Sequence, residues 1–380
     1  MFLLQRLIGV GVYTLCLAWF VWSIPQVKGL RIHLAMYCFI LGLMGFFYVP
    51  LNGSDLGRVQ LAMMSYAGCS WGELVDRMLN SSSPMAILYY RLVAGLGDKR
   101  MLPFVTAILT YGFCFSLLVY SHKRYQCRKA VVSLALFFFM SRGLLMMTIA
   151  NIRTMLSLSL VAYAIYLYFI ERRSFLKCAI VMLIGALLQN VGMLASMLFV
   201  AFYIVKGAKG RSRILTVIEG AIVIGIAAVY GRTFILGAAE KGLKYLSYTK
   251  GFFYIWEMLL SLMVIAASYF IMLQYRKSFE AHALVSAAEG DALMQSRSLV
   301  QFQAFIAAVS FVLLFIEFNS GLRLSWLLTI LDMPMIVIVL SDPQMSSVRK
   351  KQINAILFTI SIIMLFVACA RGDLCSLKFA

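Results

Sequence analysis

The stretch richest in chemistry runs from Ser141 to Arg173, SRGLLMMTIANIRTMLSLSLVAYAIYLYFIERR, where Arg142, Asn151 and Arg153 interrupt an apolar helix. An arginine at the centre of a bilayer helix costs roughly 2.5 to 3.5 kcal/mol on insertion scales. Such residues snorkel, pair inside a bundle, or line a polar cavity that takes an anion. A guanidinium is a planar fork that matches phosphate oxygens and stays charged at any working pH, so a phosphate is the expected guest. A second candidate is NGSDLGR, Asn52 to Arg58, whose only acidic residue is Asp55. Gly53 and Gly57 let the backbone bend there, and Arg58 would keep the carboxylate ionised and able to accept a proton as a general base. The same spacing also describes a helix start with a local ion pair.

Three further places carry polar side chains in apolar surroundings. Gln189 and Asn190 sit in the middle of the run from Lys177 to Val205, as substrate ligands or as interhelical hydrogen-bonding groups. Arg323 follows Glu317 and Asn319 across a helix break, and binds substrate or sits in a structural pair. The segment Gly231 to Tyr254 offers Tyr245 and Tyr248, whose faces suit pyranose rings, among Lys241, Lys244 and Lys250; an interfacial aromatic belt would look the same. Glu219, Glu257 and Asp332 fall inside apolar helices, where desolvation favours their neutral forms, and no chemistry is assigned to them.

The elements that must position these groups are membrane helices. Of the 380 residues, 63% are hydrophobic and 13% charged, values of an all-α polytopic membrane protein. The apolar runs are long enough, at about 1.5 Å per residue, to cross a hydrocarbon core of about 30 Å. They fall near 2–22, 33–50, 102–120, 130–148, 153–170, 177–205, 214–230, 252–274, 299–317, 322–340 and 353–370. The run 177–205 reads as two short helices meeting at Gln189, which brings the expectation to about twelve crossings. The first run lacks a small-residue cleavage site and reads as a retained helix. Trp71 to Leu79 is amphipathic at helical spacing and reads as a helix lying on the membrane surface.

The net charge of +19 does not point to nucleic acid, because the basic residues sit in short loops beside apolar helices, where they set topology and meet anionic lipid. Lys28 and Arg31, Lys123 to Lys129, Arg172 to Lys177, Lys206 to Arg213, Arg276 and Lys277, and Arg349 to Lys351 all fall on one side with this helix count. The positive-inside rule makes that side cytoplasmic and puts residues 51–101 and 231–252 outside as periplasmic loops. The outer side keeps a surplus of arginine and lysine that topology does not require, so its cavity should attract an anion. Eight cysteines without a CxxC pair and only three histidines give no metal-site pattern.

The order of parts resembles the EpsG-like branch of the Wzy-type polysaccharide (O-antigen) polymerases. It carries a Gly-x-Asp segment leaving the second helix (NGSDLGR), a Pro-led amphipathic stretch (SSPMAILYYRLVAGLGDKR), an Asn-x-Arg helix start (NIRTMLSLSLVAYAIYLY), a broken helix pair (ALLQNVGMLASMLF) and a late arginine (FNSGLRLSWLLTILDMPM). The broken pair of such proteins typically carries a histidine, where this chain has Gln189 and Asn190. The resemblance implies a GT-C-like membrane glycosyltransferase of the bacterial inner membrane, needing neither metal nor other cofactor. It would join oligosaccharide units carried on undecaprenyl diphosphate, with membrane lipid and a protein regulator of chain length as further partners. Asp55 would be its base, and Arg58, Arg142, Asn151, Arg153, Gln189, Asn190, Arg323, Tyr245 and Tyr248 its substrate contacts. A flippase for lipid-linked oligosaccharides and an O-antigen ligase are the alternatives.

Overall fold

The computed structural model describes residues 2–50, 54–207, 252–283 and 290–370, and its regular structure there is helical. In chain order the helices are α1 (Phe2–Ser23), α2 (Leu30–Phe47), α3 (Asp55–Ala67), α4 (Trp71–Leu79), α5 (Pro84–Ala94), α6 (Met101–Tyr125), α7 (Lys129–Ser141) and α8 (Leu144–Ala150). They continue as α9 (Ile152–Phe169), α10 (Phe175–Leu188), α11 (Asn190–Gly207), α12 (Phe252–Ala283), α13 (Gly290–Ile316), α14 (Phe318–Leu340) and α15 (Ser347–Ala370).

Seven of them, α2, α6, α9, α12, α13, α14 and α15, are long and apolar enough to cross a membrane, and α7 with α8 makes an eighth if that bent pair is one span. The chain is a multi-pass membrane protein. The remaining apolar helices are shorter, over Ile8–Ser23, Phe175–Leu188 and Asn190–Lys206, and the expected span 214–230 lies outside the described residues.

Two breaks shape the bundle. The expected continuous helix over 130–148 is bent by 56° between α7 and α8, where Gly143 takes a left-handed φ of 72°. Without a Cβ, glycine adopts that conformation at little cost. The run 177–205 divides where the sequence places its polar residues: α10 ends at Leu188, Gln189 is extended, and α11 starts at Asn190. The two helices fold back on each other, with Phe175 at the start of α10 stacked 5.3 Å from Tyr203 near the end of α11. At about 1.5 Å per residue, α10 is about 21 Å long and falls short of the hydrocarbon core. The pair is therefore a hairpin with a polar tip set into the bundle, in place of two full crossings.

The hub is α14. Every residue from Leu324 to Leu340 is buried, because this helix is apolar on all sides and packs against α6, α7, α9, α12 and α13. Its entry is tight: a Cβ on Gly321 would sit 2.4 Å from the backbone nitrogen of Leu314, so only glycine lets α13 and α14 turn so closely.

Contacts tie the basic segments together at one end of the bundle. Lys129 Nζ donates to the Val27 carbonyl, Arg124 pairs with Glu171 at 3.7 Å, Lys206 donates to Ser298, and Arg349 donates to Gln274 Oε1 at 2.9 Å. The N-terminal ends of α6, α9 and α14 and the hairpin tip accordingly point to the opposite end.

Candidate functional site

At that opposite end, α3, α4 and α5 form a small layer over the bundle. The side chain of Ser54 starts α3, accepting from Gly57 N–H. Ser70 starts α4 with a reciprocal capping box to Glu73, a device that contributes about 1 kcal/mol. Trp71, Val75 and Leu79 of α4 stay exposed while Leu74 is buried, the pattern of a helix whose outward face meets lipid. Pro84 opens α5, which packs on α3, α4, α6 and α10. Several of the outer arginines serve this layer. Arg91 donates to the Ala67 carbonyl and lies over the Trp71 ring, Arg77 lies over Tyr66, and Arg100 over Phe46.

Beneath α5 the structure brings together residues that are distant in sequence. Asn151 starts α9 without capping it, its amide lying 3.6 Å from the Met147 sulfur. Arg153 and Thr154 follow in the first turn, and the Gln189 amide from the hairpin tip reaches Thr154 Oγ1 at 3.5 Å. Asn190 opens α11 beside it. From above, Tyr90 stacks on Tyr66, and the Arg153 charge bears on its phenol. Burial pushes the Tyr90 phenol up to about 12, with Arg153 acting against the rise. The buried Tyr90 hydroxyl has no hydrogen-bond partner among the described residues. Arg153 is half-buried and makes no ion pair there either. A guanidinium without an ion pair among the described residues, near a phenol without a hydrogen-bond partner and on the same helix turn as Thr154 and its Gln189 contact, suits an oxyanion and the hydroxyls of a sugar.

The hairpin tip is held by close backbone approach. Ser157 Oγ of α9 donates to the Gly185 carbonyl at 2.6 Å, and Gly192 faces both groups with no room for a side chain. This fixes Gln189 and Asn190 against the first turn of α9.

The other expected site residues lie elsewhere. Arg142 is fully buried at the α7–α8 break and pairs with Glu257 of α12 at 2.8 Å, both side chains closed to solvent. Glu257, expected to be a neutral acid, is thus the counterion of an arginine. The Arg142 Nε and Nη1 have no partner among the described residues. Asp55 occupies the first turn of α3, exposed and paired with the equally exposed Arg58, which is the local ion pair its spacing allows. Arg323 is half-buried in the second turn of α14 and is engaged within the protein. Glu219, Tyr245 and Tyr248 lie outside the described residues. No three His, Cys, Asp or Glu side chains converge as a metal site among the described residues. Sequence reasoning missed Tyr90 and Thr154; the motif YYR, on a Pro-led amphipathic helix beside an Asn-x-Arg start, was the available signal.

No protein-family model, no curated protein and no solved structure matches the chain.

Proposed function

We propose that the chain is a membrane glycosyltransferase of the polysaccharide-polymerase kind, which it resembles in the order of its parts. It would join undecaprenyl-diphosphate-linked oligosaccharide units on the periplasmic face of a bacterial inner membrane, in a GT-C-like arrangement. The observation that carries this reading is that Arg153, with no ion pair among the described residues, acts electrostatically on Tyr90, whose hydroxyl has no partner among them, at the end of the bundle away from the basic loops. By the positive-inside rule that end is periplasmic.

In this reading Arg153 stabilises the charge that develops on the departing diphosphate, and Asn151, Gln189 and Tyr90 hold it and the first sugar in place. The amphipathic layer brings the two lipid-borne chains to one surface. Asp55 is the nearest candidate base in sequence terms, and to serve it must exchange its pairing with Arg58 for an acceptor hydroxyl. No histidine stands at the hairpin tip, so the tip acts by hydrogen bonding and not by proton transfer.

The test is the surface polysaccharide of a strain lacking the chain. Single repeat units capping the anchor lipid support polymerase. Long polymer stranded on the carrier would mean ligase, and single units retained inside the cell would mean flippase. Complementation with Arg153→Lys should restore protein but little polymer, since an ammonium keeps the charge and loses the two-point contact.

A further inference from the structure

Away from the outer site, one carboxyl lies deep in the bundle. Asp332 of α14, Ser268 of α12 and Gln303 of α13 are all fully buried. Ser268 Oγ is 2.9 Å from Asp332 Oδ1 and 2.8 Å from Oδ2, and Gln303 Nε2 donates to Oδ1. The cluster belongs to a buried polar seam between the three helices. To this seam α12 contributes Glu257, Ser261, Ser268 and Tyr275, α13 contributes Ser296, Gln303 and Ser310, and α14 contributes Ser325, Thr329 and Asp332, all of them buried. These intervals of three, four and seven keep each set on one face. Cross-links join the sets: Ser325 to Ser261 at 3.1 Å, Ser296 to the Tyr275 hydroxyl at 3.2 Å, and Glu257 to Arg142 at 2.8 Å. One end of the seam is the Arg142–Glu257 pair, and the other is Tyr275 among the basic segments.

Asp332 makes no ion pair among the described residues. Across residues 101–121, 130–141, 154–169, 258–275, 298–316 and 324–340, the embedded parts of the helices around it, there is no other Asp, Glu, Lys, Arg or His. The titratable groups those segments present are Tyr111, Cys114 and Tyr120 on α6, Tyr163, Tyr166 and Tyr168 on α9, and Tyr269 and Tyr275 on α12, while α7 and α13 present none; α11, which also packs on α14, carries Tyr203 and Lys206 near its end. Tyr275 is about 10 Å from Ser268 along the helix axis and Glu257 about 16 Å.

The contacts also suit a protonated carboxyl. A hydroxyl has one hydrogen, yet Ser268 Oγ approaches both carboxyl oxygens at hydrogen-bond length. A proton on Oδ2 resolves this: Oδ2–H donates to Ser268, and Ser268 donates to Oδ1, closing a ring. In the alternative arrangement the proton sits on Oδ1 and a turned Gln303 amide accepts it through Oε1, which otherwise has no partner among the described residues, while Ser268 donates to Oδ2. When the carboxyl is ionised, Ser268 O–H and Gln303 N–H both donate to it. The same three side chains thus accommodate either form.

We propose that Asp332, Ser268 and Gln303 form an intramembrane proton-binding site, loaded and unloaded along the α12–α13–α14 seam. In the loading step a hydronium in the seam gives its proton to a carboxylate oxygen, an O–H bond forms, and water is left; unloading is the reverse. The proposal rests on this geometry alone and stands whether the outer site joins lipid-linked sugars or does something else.

Infrared difference spectroscopy of the full-length protein in lipid vesicles tests it. Wild type should show a protonated-carboxyl C=O band that shifts in D2O and declines as pH is raised. Asp332→Asn, which preserves the hydrogen-bonding shape, should lack the band, and Gln303→Leu should displace it. Tyr275→Phe should slow the exchange into D2O on the order of tenfold, because the route then lacks one hydroxyl. A band absent at every pH, or one indifferent to both D2O and pH, overturns the site. Unchanged exchange in Tyr275→Phe overturns the route. Should Asp332→Asn fail to fold, Asp332→Glu serves instead: a band moved in frequency supports the assignment, and an unmoved band overturns it.

Discussion

Gly192→Ala is the sharpest probe of how the hairpin tip is held. An added Cβ would stand 1.8 Å from Ser157 Oγ, 2.6 Å from the Gly185 carbonyl oxygen and 3.1 Å from its carbon. Ser157 can rotate away, but doing so abandons its 2.6 Å bond to Gly185 and leaves a buried acceptor short, at a cost of about 1 kcal/mol or more. Gly185 is backbone and cannot step aside, so α10 and α11 must part, an overpacking cost of about 1 to 3 kcal/mol. Together the substitution should destabilise by about 2 to 4 kcal/mol. Gly112→Ala is the control: its Cβ would meet nothing within 4 Å, and the gain in helix propensity is worth about 0.5 to 1 kcal/mol in its favour. Denaturant unfolding of both purified variants in detergent compares them directly. Adding Ser157→Ala to Gly192→Ala should recover part of the stability, since it removes the 1.8 Å clash and leaves the 2.6 Å one. If Gly192→Ala unfolds at the same midpoint as Gly112→Ala, the close crossing of α9, α10 and α11 is wrong.

The buried Arg142–Glu257 pair predicts a cycle: Arg142→Gln or Glu257→Gln alone should each cost about 3 to 5 kcal/mol in unfolding experiments, while Arg142→Met with Glu257→Leu should return most of it. A double variant that costs the sum of the two singles would show that the two charges do not meet. Asp55→Asn should change stability by less than about 1 kcal/mol, because its pair with Arg58 is exposed, yet cut chain extension by about a hundredfold if the carboxylate is the base. Near wild-type extension removes Asp55 from the chemistry and directs the search to Glu317. Reporter fusions after Lys129, Lys177 and Lys206 should all report the cytoplasm and fusions within 61–82 the periplasm; Lys177 and Lys206 on opposite faces would undo the hairpin.

Much of the architecture could be read from the sequence because membrane helices declare themselves by length and hydropathy, and because polar residues in an apolar run mark interruptions. The break at Gln189 was visible for that reason, and helical spacing showed the amphipathic helix Trp71–Leu79. The bend at Gly143 was not: Ser-Arg-Gly within an apolar run is compatible with a straight helix, and the left-handed glycine is decided by how α7 and α8 pack on their neighbours. The Asp55–Arg58 pair is a three-residue relation and was legible. Arg142 with Glu257, Asp332 with Ser268 and Gln303, and Arg153 with Tyr90 are long-range meetings that no local spacing encodes. Desolvation arguments could say that Glu257 and Asp332 are unusual, but not that one finds an arginine and the other only a hydroxyl and an amide.

The central claim is that the Arg153–Tyr90 site acts on lipid-linked sugars at the outer end of the bundle. The most direct measurement is chain extension by the purified protein in vesicles, supplied with undecaprenyl-diphosphate-linked repeat units and followed by the size of the lipid-linked product. The account predicts a ladder of longer chains with wild type, loss of most extension in Arg153→Lys, and a further loss in Arg153→Ala with the protein still folded. A ladder undiminished in Arg153→Ala would contradict it.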